Sequence, residues 1–236
     1  AKELAVFQED VDPMTGEAGR AQTGPGGRGA VRVQLDPGAS AILRTSDAED
    51  GAPRPWRYVE TRGEAVELRG AWHIEFIEGG PELPAGGTIR ELASWTALGP
   101  AAERFAGTAL YRLVFDAPGR GSAWLLDLGE VHASARVRLN GKRVGTLIGP
   151  SFRTRLRGVQ PKGNRLEIEV TSLAANRIRD LDRRGVAWKI FEDVNFLNRR
   201  YRPFDASGWP TNPAGLLGPV RLTPLAEDAG GAEQSG

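Results

Sequence analysis

The residues best suited to recognition chemistry lie between positions 172 and 215, where charged and aromatic side chains are frequent and no regular period is visible. Sugars are recognised by aromatic faces together with a few amide, guanidinium or carboxylate groups in a shallow concavity. This stretch supplies those types in eight candidate carbohydrate-binding residues: Asn176, Arg177, Asp180, Trp188, Tyr201, Asp205, Trp209 and Asn212. The alternative, which we favour, is that the aromatics anchor the loop on its own domain or on a neighbouring one.

Two acid pairs in the same stretch, Asp180 with Asp182 and Glu192 with Asp193, raise the question of hydrolytic chemistry. Hydrolysis of a glycosidic bond uses two carboxyl groups held about 5–10 Å apart. Nothing in the spacing fixes either pair across a cleft. We therefore predict no catalytic residue in this chain and expect these acids to pair with arginines nearby, namely Arg177, Arg179, Arg183 and Arg184.

Other motifs that could carry chemistry are incomplete. Both histidines, His73 and His132, lie in or beside alternating segments without a nucleophile motif or a second histidine at ligand spacing. The glycine run at 24–29 fits G-x-G-x-x-G, but a strand pattern follows it where a nucleotide site needs a helix. The sequence shows no cofactor motif, and a structural calcium ion is left open because no D-x-D-x-D-G loop locates one.

The elements that must position these residues are organised around Ser122–Ile148. An apolar run at 124–128 is followed by a segment in which Ala135, Val137 and Leu139 alternate with polar residues, which predicts a strand with one buried face. Asn140-Gly141 then predicts a two-residue hairpin turn, because both central positions of a type I′ turn need positive φ. The stretch therefore predicts three strands.

Further strands are predicted at 31–35 and 40–44 as an N-terminal hairpin, and at 66–76, 108–115, 151–156, 165–171 and 215–222. Helical turns are expected only near Ser94–Thr96 and after Pro100. The pattern favours an all-β, antiparallel sandwich with a long aromatic-rich loop. We divide the chain into the tail of a preceding β domain (1–45), a linker (46–64), the sandwich (65–225) and a disordered tail (226–236).

Composition excludes several function classes. The 236 residues carry 31 basic and 30 acidic side chains, so no charge excess favours a nucleic acid partner. Cysteine is absent, which removes disulfide and thiolate metal chemistry, and no long apolar run predicts a membrane partner. The compartment stays open, and we favour a periplasmic or secreted bacterial location over the cytoplasm.

A series of short motifs occurs in a characteristic order along the chain. The motifs are Trp72–Phe76, Ser94-Trp95, Phe105–Tyr111, Leu126–Gly129, Ala135–Gly141, Pro150–Phe152, Gly163–Ile168, Asn176-Arg177 and Gly215–Val220. Their order resembles the C-terminal, galactose-binding-like β-sandwich of glycoside hydrolase family 106, which contains α-L-rhamnosidase-like enzymes, and this resemblance implies a jelly-roll sandwich. The Asn-Gly hairpin and the strand at 163–168 are also similar to the sugar-binding sandwich of family 2 β-glycosidases.

The resemblance covers residues 65–225 and implies a non-catalytic module that supports a catalytic barrel and has glycan as a further candidate partner. In family 106 the catalytic carboxylates and the calcium site lie in the barrel, so the resemblance transfers no catalytic residue to this chain. Two alternatives stay open: a free-standing carbohydrate-binding module and, less favoured, a complete small enzyme.

Overall fold

The structure is a computed structural model that describes residues 7–14, 16–22, 30–46, 54–189 and 202–226. It contains two compact units, Ala1–Arg62 with Leu225–Gly236 and Gly63–Pro224. The glycine run at 24–29, most of the predicted linker and the tail from residue 227 lie outside the described residues. The domain boundaries inferred from the sequence are not tested by this division into two units and stay a prediction.

The smaller unit contains an antiparallel sheet of three strands, β1 (Phe7–Val11), β2 (Ala18–Arg20) and β3 (Ile42–Ser46), in the order β2-β1-β3. An N-terminal hairpin is present, but β1 and β2 form it. The strands predicted at 31–35 and 40–44 do not pair with each other, because β3 pairs with β1 instead. Tyr58 is buried in this unit, and its hydroxyl donates to the Arg32 carbonyl at 2.7 Å.

The larger unit is a sandwich, which confirms the predicted all-β class. Its antiparallel sheets have the orders β11-β10-β13-β7-β5-β6, β12-β8-β15-β4 and β14-β9. The strands are β4 (Val66–Glu67), β5 (Trp72–Gly80), β6 (Gly87–Ile89), β7 (Ala106–Phe115), β8 (Ala123–Asp127), β9 (Glu130–His132), β10 (Ser134–Leu139), β11 (Lys142–Ile148), β12 (Arg153–Arg157), β13 (Asn164–Thr171), β14 (Gly215–Gly218) and β15 (Arg221–Pro224).

The core forms because alternate residues of the long strands are apolar and point to the same face. In the six-stranded sheet these rows include Trp72, Tyr111 and Ile168, which are all buried. They pack in one cluster with Leu126 and Leu222 of the four-stranded sheet. β7 lies between β13 and β5, which agrees with the central position that its apolar character on both faces indicates.

The predicted hairpin at Asn140-Gly141 joins β10 and β11, and both residues have positive φ, 51° and 79°. Asn140 also connects to the neighbouring strand, since its side-chain amide donates to Asn164 Oδ1 at 3.1 Å and its Oδ1 accepts from the Arg165 N–H at 2.8 Å. The turn is therefore bound to β13 as well as to its own two strands.

Further predictions need correction. The single strand predicted at 66–76 is two strands in different sheets, β4 and β5, and the three strands predicted within 122–148 are four, β8 to β11. The strand predicted at 215–222 is two strands in different sheets, β14 and β15, because the chain is interrupted at Pro219, which has no N–H for a ladder. The stretch 172–215, in which no period is visible, contains a helix at Ala175–Arg183. The helical turns expected near Ser94 and Pro100 are confirmed as a 3-10 helix, Trp95–Leu98, and α1 (Pro100–Glu103); the new helix is α2.

Candidate functional site

A short connection joins the end of β13 to helix α2 (Ala175–Arg183). The helix carries charged residues on most of its surface. Asp180 accepts from Arg177 at 2.9 Å and from Arg184 at 2.7 Å, at spacings of three and four residues. Each such pair stabilises a helix by about 0.2–0.5 kcal/mol. The predicted pairing of Asp180 with nearby arginines is therefore confirmed, and its role is local.

One face of α2 binds the main chain of the returning segment 206–212. The Asn176 side-chain amide donates to the Asn212 carbonyl at 2.8 Å and accepts from the Asn212 N–H at 2.8 Å. Arg179 Nε donates to the Trp209 carbonyl and Arg183 Nε to the Ser207 carbonyl, both at 2.8 Å. We call this set, together with Asp182 and the Ala206 N–H, the polar ladder.

Arg179 links the ladder to α1. It is buried, and its Nη1 donates to Glu103 Oε1 at 2.9 Å, while the Thr211 hydroxyl donates to the same oxygen at 3.1 Å. The hydrogen bond from Arg179, followed by that from Thr211, lowers the pKa of Glu103 below its ordinary value. Glu103 is thus held as a carboxylate between the helix and the returning segment.

Asp182 forms the other end of the ladder, and its side chain is nearly buried. Burial alone raises its pKa, but hydrogen bonds from the Ala206 N–H at 2.7 Å, the Trp188 indole N–H at 2.6 Å and Lys189 outweigh it, so the pKa lies below the ordinary value. The arginine pairing predicted for Asp182 is wrong, because Lys189 makes its ion pair at 3.1 Å. These contacts occupy both carboxylate oxygens.

The aromatics of this region form a cluster of Trp188, Phe204 and Trp209. Phe204 meets Trp188 edge to face at 6.1 Å and Trp209 at 5.5 Å between ring centroids. The Lys189 ammonium lies 5.6 Å from the Trp188 ring centre and 5.5 Å from that of Phe204. Trp209 retains 36% of its surface exposed, so part of one aromatic face is open to solvent.

The structure brings most of the predicted sugar-binding residues to this region, and it gives most of them structural partners. The hydrogen bonds and ion pairs described above engage the polar groups of four of them, Asn176, Arg177, Asp180 and Trp188. Asp205 is exposed and accepts from the Ser207 N–H at 2.8 Å, a bond that lowers its pKa. Asn212 contributes its main chain to the ladder. Tyr201, Glu192 and Asp193 lie outside the described residues.

Sequence reasoning missed Glu103 altogether. It lies 76 residues before Arg179, its partner, and only the folded chain brings the two together. The signal for α2 was present as opposite charges three and four residues apart, which typify a solvent-exposed helix.

The histidines and acids elsewhere suggest no further catalytic arrangement. His132 Nε2 lies 2.8 Å from Glu130 Oε1 at the surface, and His73 is exposed. Within the described ranges, no three His, Cys, Asp or Glu side chains are grouped so as to hold a metal ion. The structural calcium ion stays a prediction. No helix in the described part of the chain is both long and apolar enough to cross a membrane.

Comparison with known proteins gives two informative similarities, while no family model matches the chain. A Formosa agariphila protein, provisionally named a beta-glucuronidase, is 32% identical over an alignment 194 positions long that covers 72% of this chain. The structure of a rhamnosidase from Novosphingobium sp. PP1Y matches 92% of this chain at 28% identity with a TM-score of 0.67. The chain resembles a domain of glycosidases.

The matched region is a small part of each relative. The chain spans 16% of the length of the Formosa protein and 20% of the rhamnosidase chain. A β-galacturonidase of glycoside hydrolase family 2 from Eisenbergiella tayi, at 20% identity and a TM-score of 0.46, is too distant to add to the functional argument. Fold and sequence therefore agree on a β-rich domain associated with glycoside hydrolases.

Proposed function

We propose that this chain is an accessory, non-catalytic β-sandwich portion of an α-L-rhamnosidase-like glycoside hydrolase of family 106. The observation that carries the proposal is the match of 92% of the chain to one fifth of a rhamnosidase. A module that occupies one fifth of such an enzyme, and that resembles the sandwich lying after the catalytic barrel, supports that barrel and has it as its principal partner. A structural calcium ion belongs to the same proposal.

The described carboxylates of the candidate site support a non-catalytic role. Glu103 accepts from Arg179 and Thr211, Asp180 from two arginines, and Asp182 from three donors. A glycosidase needs one carboxyl group to protonate the leaving oxygen and another to act as nucleophile or base. Carboxylates that are fixed by several donors and have lowered pKa values, as Glu103 and Asp182 do, are poorly suited to be the acid of that pair.

Glycan contact is the second part of the proposal, and the partly exposed Trp209 ring supports it. An open aromatic face gives a sugar ring a flat apolar surface. Asp205 and the Asn212 side chain are exposed on the same returning segment and supply polar groups. The same observation is compatible with the second candidate function, a free-standing carbohydrate-binding module with no enzyme attached.

The catalytic part is tested by incubating the purified chain with aryl α-L-rhamnosides and aryl β-glucuronides and measuring release of the aryl group. We expect no turnover above the uncatalysed rate. Turnover that disappears in an Asp182→Asn or Glu103→Gln variant with an unchanged fold contradicts the proposal.

Glycan contact is tested by affinity electrophoresis in gels that contain rhamnose-rich polysaccharides. We expect Trp209→Ala to abolish retardation while the variant keeps the native circular dichroism spectrum at the temperature of the assay. Trp188→Ala is the matched control, because its indole N–H is bound to Asp182 and its loss acts on stability. Equal retardation of wild type and Trp209→Ala assigns the aromatic cluster to packing alone.

A further inference from the structure

A cavity of about 520 Å³ lies beside the edge strands β4 and β6, and none of the residues that line it belongs to the polar ladder. Its walls are the segments that follow β4 and β6 and the connection between β14 and β15. The Leu68 N–H donates to the Val220 carbonyl at 2.8 Å, and Gly218 lies against Leu92 so closely that a Cβ there would be 2.9 Å from its side chain. These contacts fix the walls relative to one another.

The floor of the cavity is apolar and its rim is charged. Trp72, Leu68 and Val220 are buried core residues that line it, and Arg69, Arg90 and two glutamates, Glu67 and Glu91, lie around it. The volume lies within the range of about 300–1,000 Å³ that is usual for small-molecule sites, while four charged residues among the ten that line the cavity make it more polar than most such sites and favour a polar ligand.

The charged groups at the rim are available to a ligand. Arg69 pairs with Glu67 at 3.2 Å, but the Arg69 side chain is largely exposed and that of Glu67 partly so, and such a surface pair contributes only about 0–1 kcal/mol. Among the residues that the structure describes, none makes a hydrogen bond or ion pair with the side chain of Arg90 or Glu91. A ligand can therefore bind both groups without breaking an internal contact.

The presence of both positive and negative side chains around the cavity indicates the class of ligand. A guanidinium binds a carboxylate through two parallel N–H groups, which gives Arg90 an anionic partner. Ionised glutamates only accept hydrogen bonds, so Glu67 and Glu91 need a ligand with hydrogen-bond donors, and the hydroxyl groups of a sugar are such donors. A dicarboxylate or a phosphate brings a second negative charge against these glutamates, whereas a sugar with a single carboxylate satisfies both kinds of group.

We propose that this cavity binds one uronic acid unit, with its carboxylate on Arg90, its hydroxyls on Glu91 and Glu67, and its ring over the apolar floor. This binding site is independent of the proposed accessory role, because it uses neither the aromatic cluster nor the polar ladder.

The test is an NMR titration of the ¹⁵N-labelled 236-residue chain with sodium D-glucuronate. We expect saturable shifts of the Leu68, Arg90, Leu92 and Val220 amides. D-glucose keeps most hydroxyls without the carboxylate, and acetate keeps the carboxylate without the hydroxyls. Both should bind at least about tenfold more weakly, which corresponds to about 1.4 kcal/mol.

Arg90→Gln should weaken glucuronate binding by about tenfold or more, and because Arg90 is exposed the variant should keep a wild-type spectrum. Arg138→Gln, on the exposed face of β10, is the matched control and should bind as wild type does. Absence of saturable shifts at these amides, equal binding by Arg90→Gln, or acetate binding as tight as that of glucuronate each overturns the proposal. None of these outcomes changes the catalytic or aromatic-cluster tests above.

Discussion

The sandwich core and the polar ladder hold two adjoining parts of one unit together by opposite means. In the core, apolar rows on β5, β7, β10 and β13 pack against the four-stranded sheet. In the ladder, polar side chains of α2 make hydrogen bonds to the main chain of residues 206–212. The first depends on area removed from water, the second on the satisfaction of individual donors and acceptors.

Because of this difference, the core and the ladder respond to different substitutions and to different changes of pH. Apolar packing is sensitive to volume and insensitive to pH unless it contains a titratable group. A ladder built on Glu103 and Asp182 is sensitive to the loss of a single polar atom and to the protonation of those two carboxylates. Substitutions and pH changes can therefore be chosen to act on one region while the other reports that the fold is intact.

The largest effect should come from Leu126→Ala in the core. Leu126 is fully buried between the sheets, so its truncation leaves a cavity and should lower the free energy of unfolding by about 2–5 kcal/mol. Denaturant unfolding measures the loss. Val114→Ala is the control, because Val114 is 70% exposed on β7 and should change stability by less than about 0.5 kcal/mol. Similar losses in both variants contradict the assignment of stability to the buried rows.

Asn176→Ala should have the next largest effect, and a local one. It leaves the N–H and carbonyl of Asn212 without their partner, at a cost of about 1–3 kcal/mol. Hydrogen exchange should show faster exchange at Asn212, with little change at β7 and β13. Asn212→Ala is the matched control, since Asn212 contributes only its main chain to the pair and should exchange as in wild type. Equal effects of the two substitutions argue against the ladder.

At alkaline pH the core should weaken before the ladder does. Burial raises the pKa of Tyr111 to about 12, whereas an unfolded tyrosine titrates near 10. The folded state therefore holds the phenol proton more tightly, so this stability is complete below about pH 10 and is lost as pH rises towards 12, by about 1.4 kcal/mol per pH unit. Unfolding measured between pH 9 and 11.5 should show the slope, and Tyr111→Phe should remove it.

At acid pH the order should reverse, with a smaller effect. The pKa values of Glu103 and Asp182 are lowered by folding, so their contribution is complete above about pH 4.3 and is lost as pH falls through the folded values. Because 41% of the Glu103 side chain is exposed, its share should be below about 1 kcal/mol. Amide exchange at 206–212 between pH 3 and 6 measures it, and Glu103→Gln should flatten the dependence.

The sequence was informative about the core for a physical reason. Strand alternation places every second residue on one face, so Ala135, Val137 and Leu139 could be assigned to the interior without knowledge of their partners, and they are buried. The Asn140-Gly141 turn could be assigned because its backbone conformation restricts the residue types that can adopt it.

The ladder could not be predicted in the same way, because its bonds join side chains to peptide groups, which look alike at every residue. Nothing in the residue type of Asn212 or Trp209 indicates which side chain binds its backbone. The seven candidate residues that the structure describes lie in or near α2 and the returning segment, but the division between structural and exposed groups, with Asn176 buried and Trp209 partly exposed, required the fold. Their role in binding glycan stays a prediction.

The direction of the ladder has an evolutionary consequence. On the helix, the hydrogen bonds are made by the side chains of Asn176, Arg179 and Arg183. On the facing segment they are made by the main-chain groups of Ser207, Trp209 and Asn212, and every residue except proline has both of these groups. The helix is therefore constrained to keep its sequence, while the facing segment is free to drift at its outward positions. A natural lineage or an engineered library can accordingly exchange the outward side chains of this segment on an unchanged scaffold.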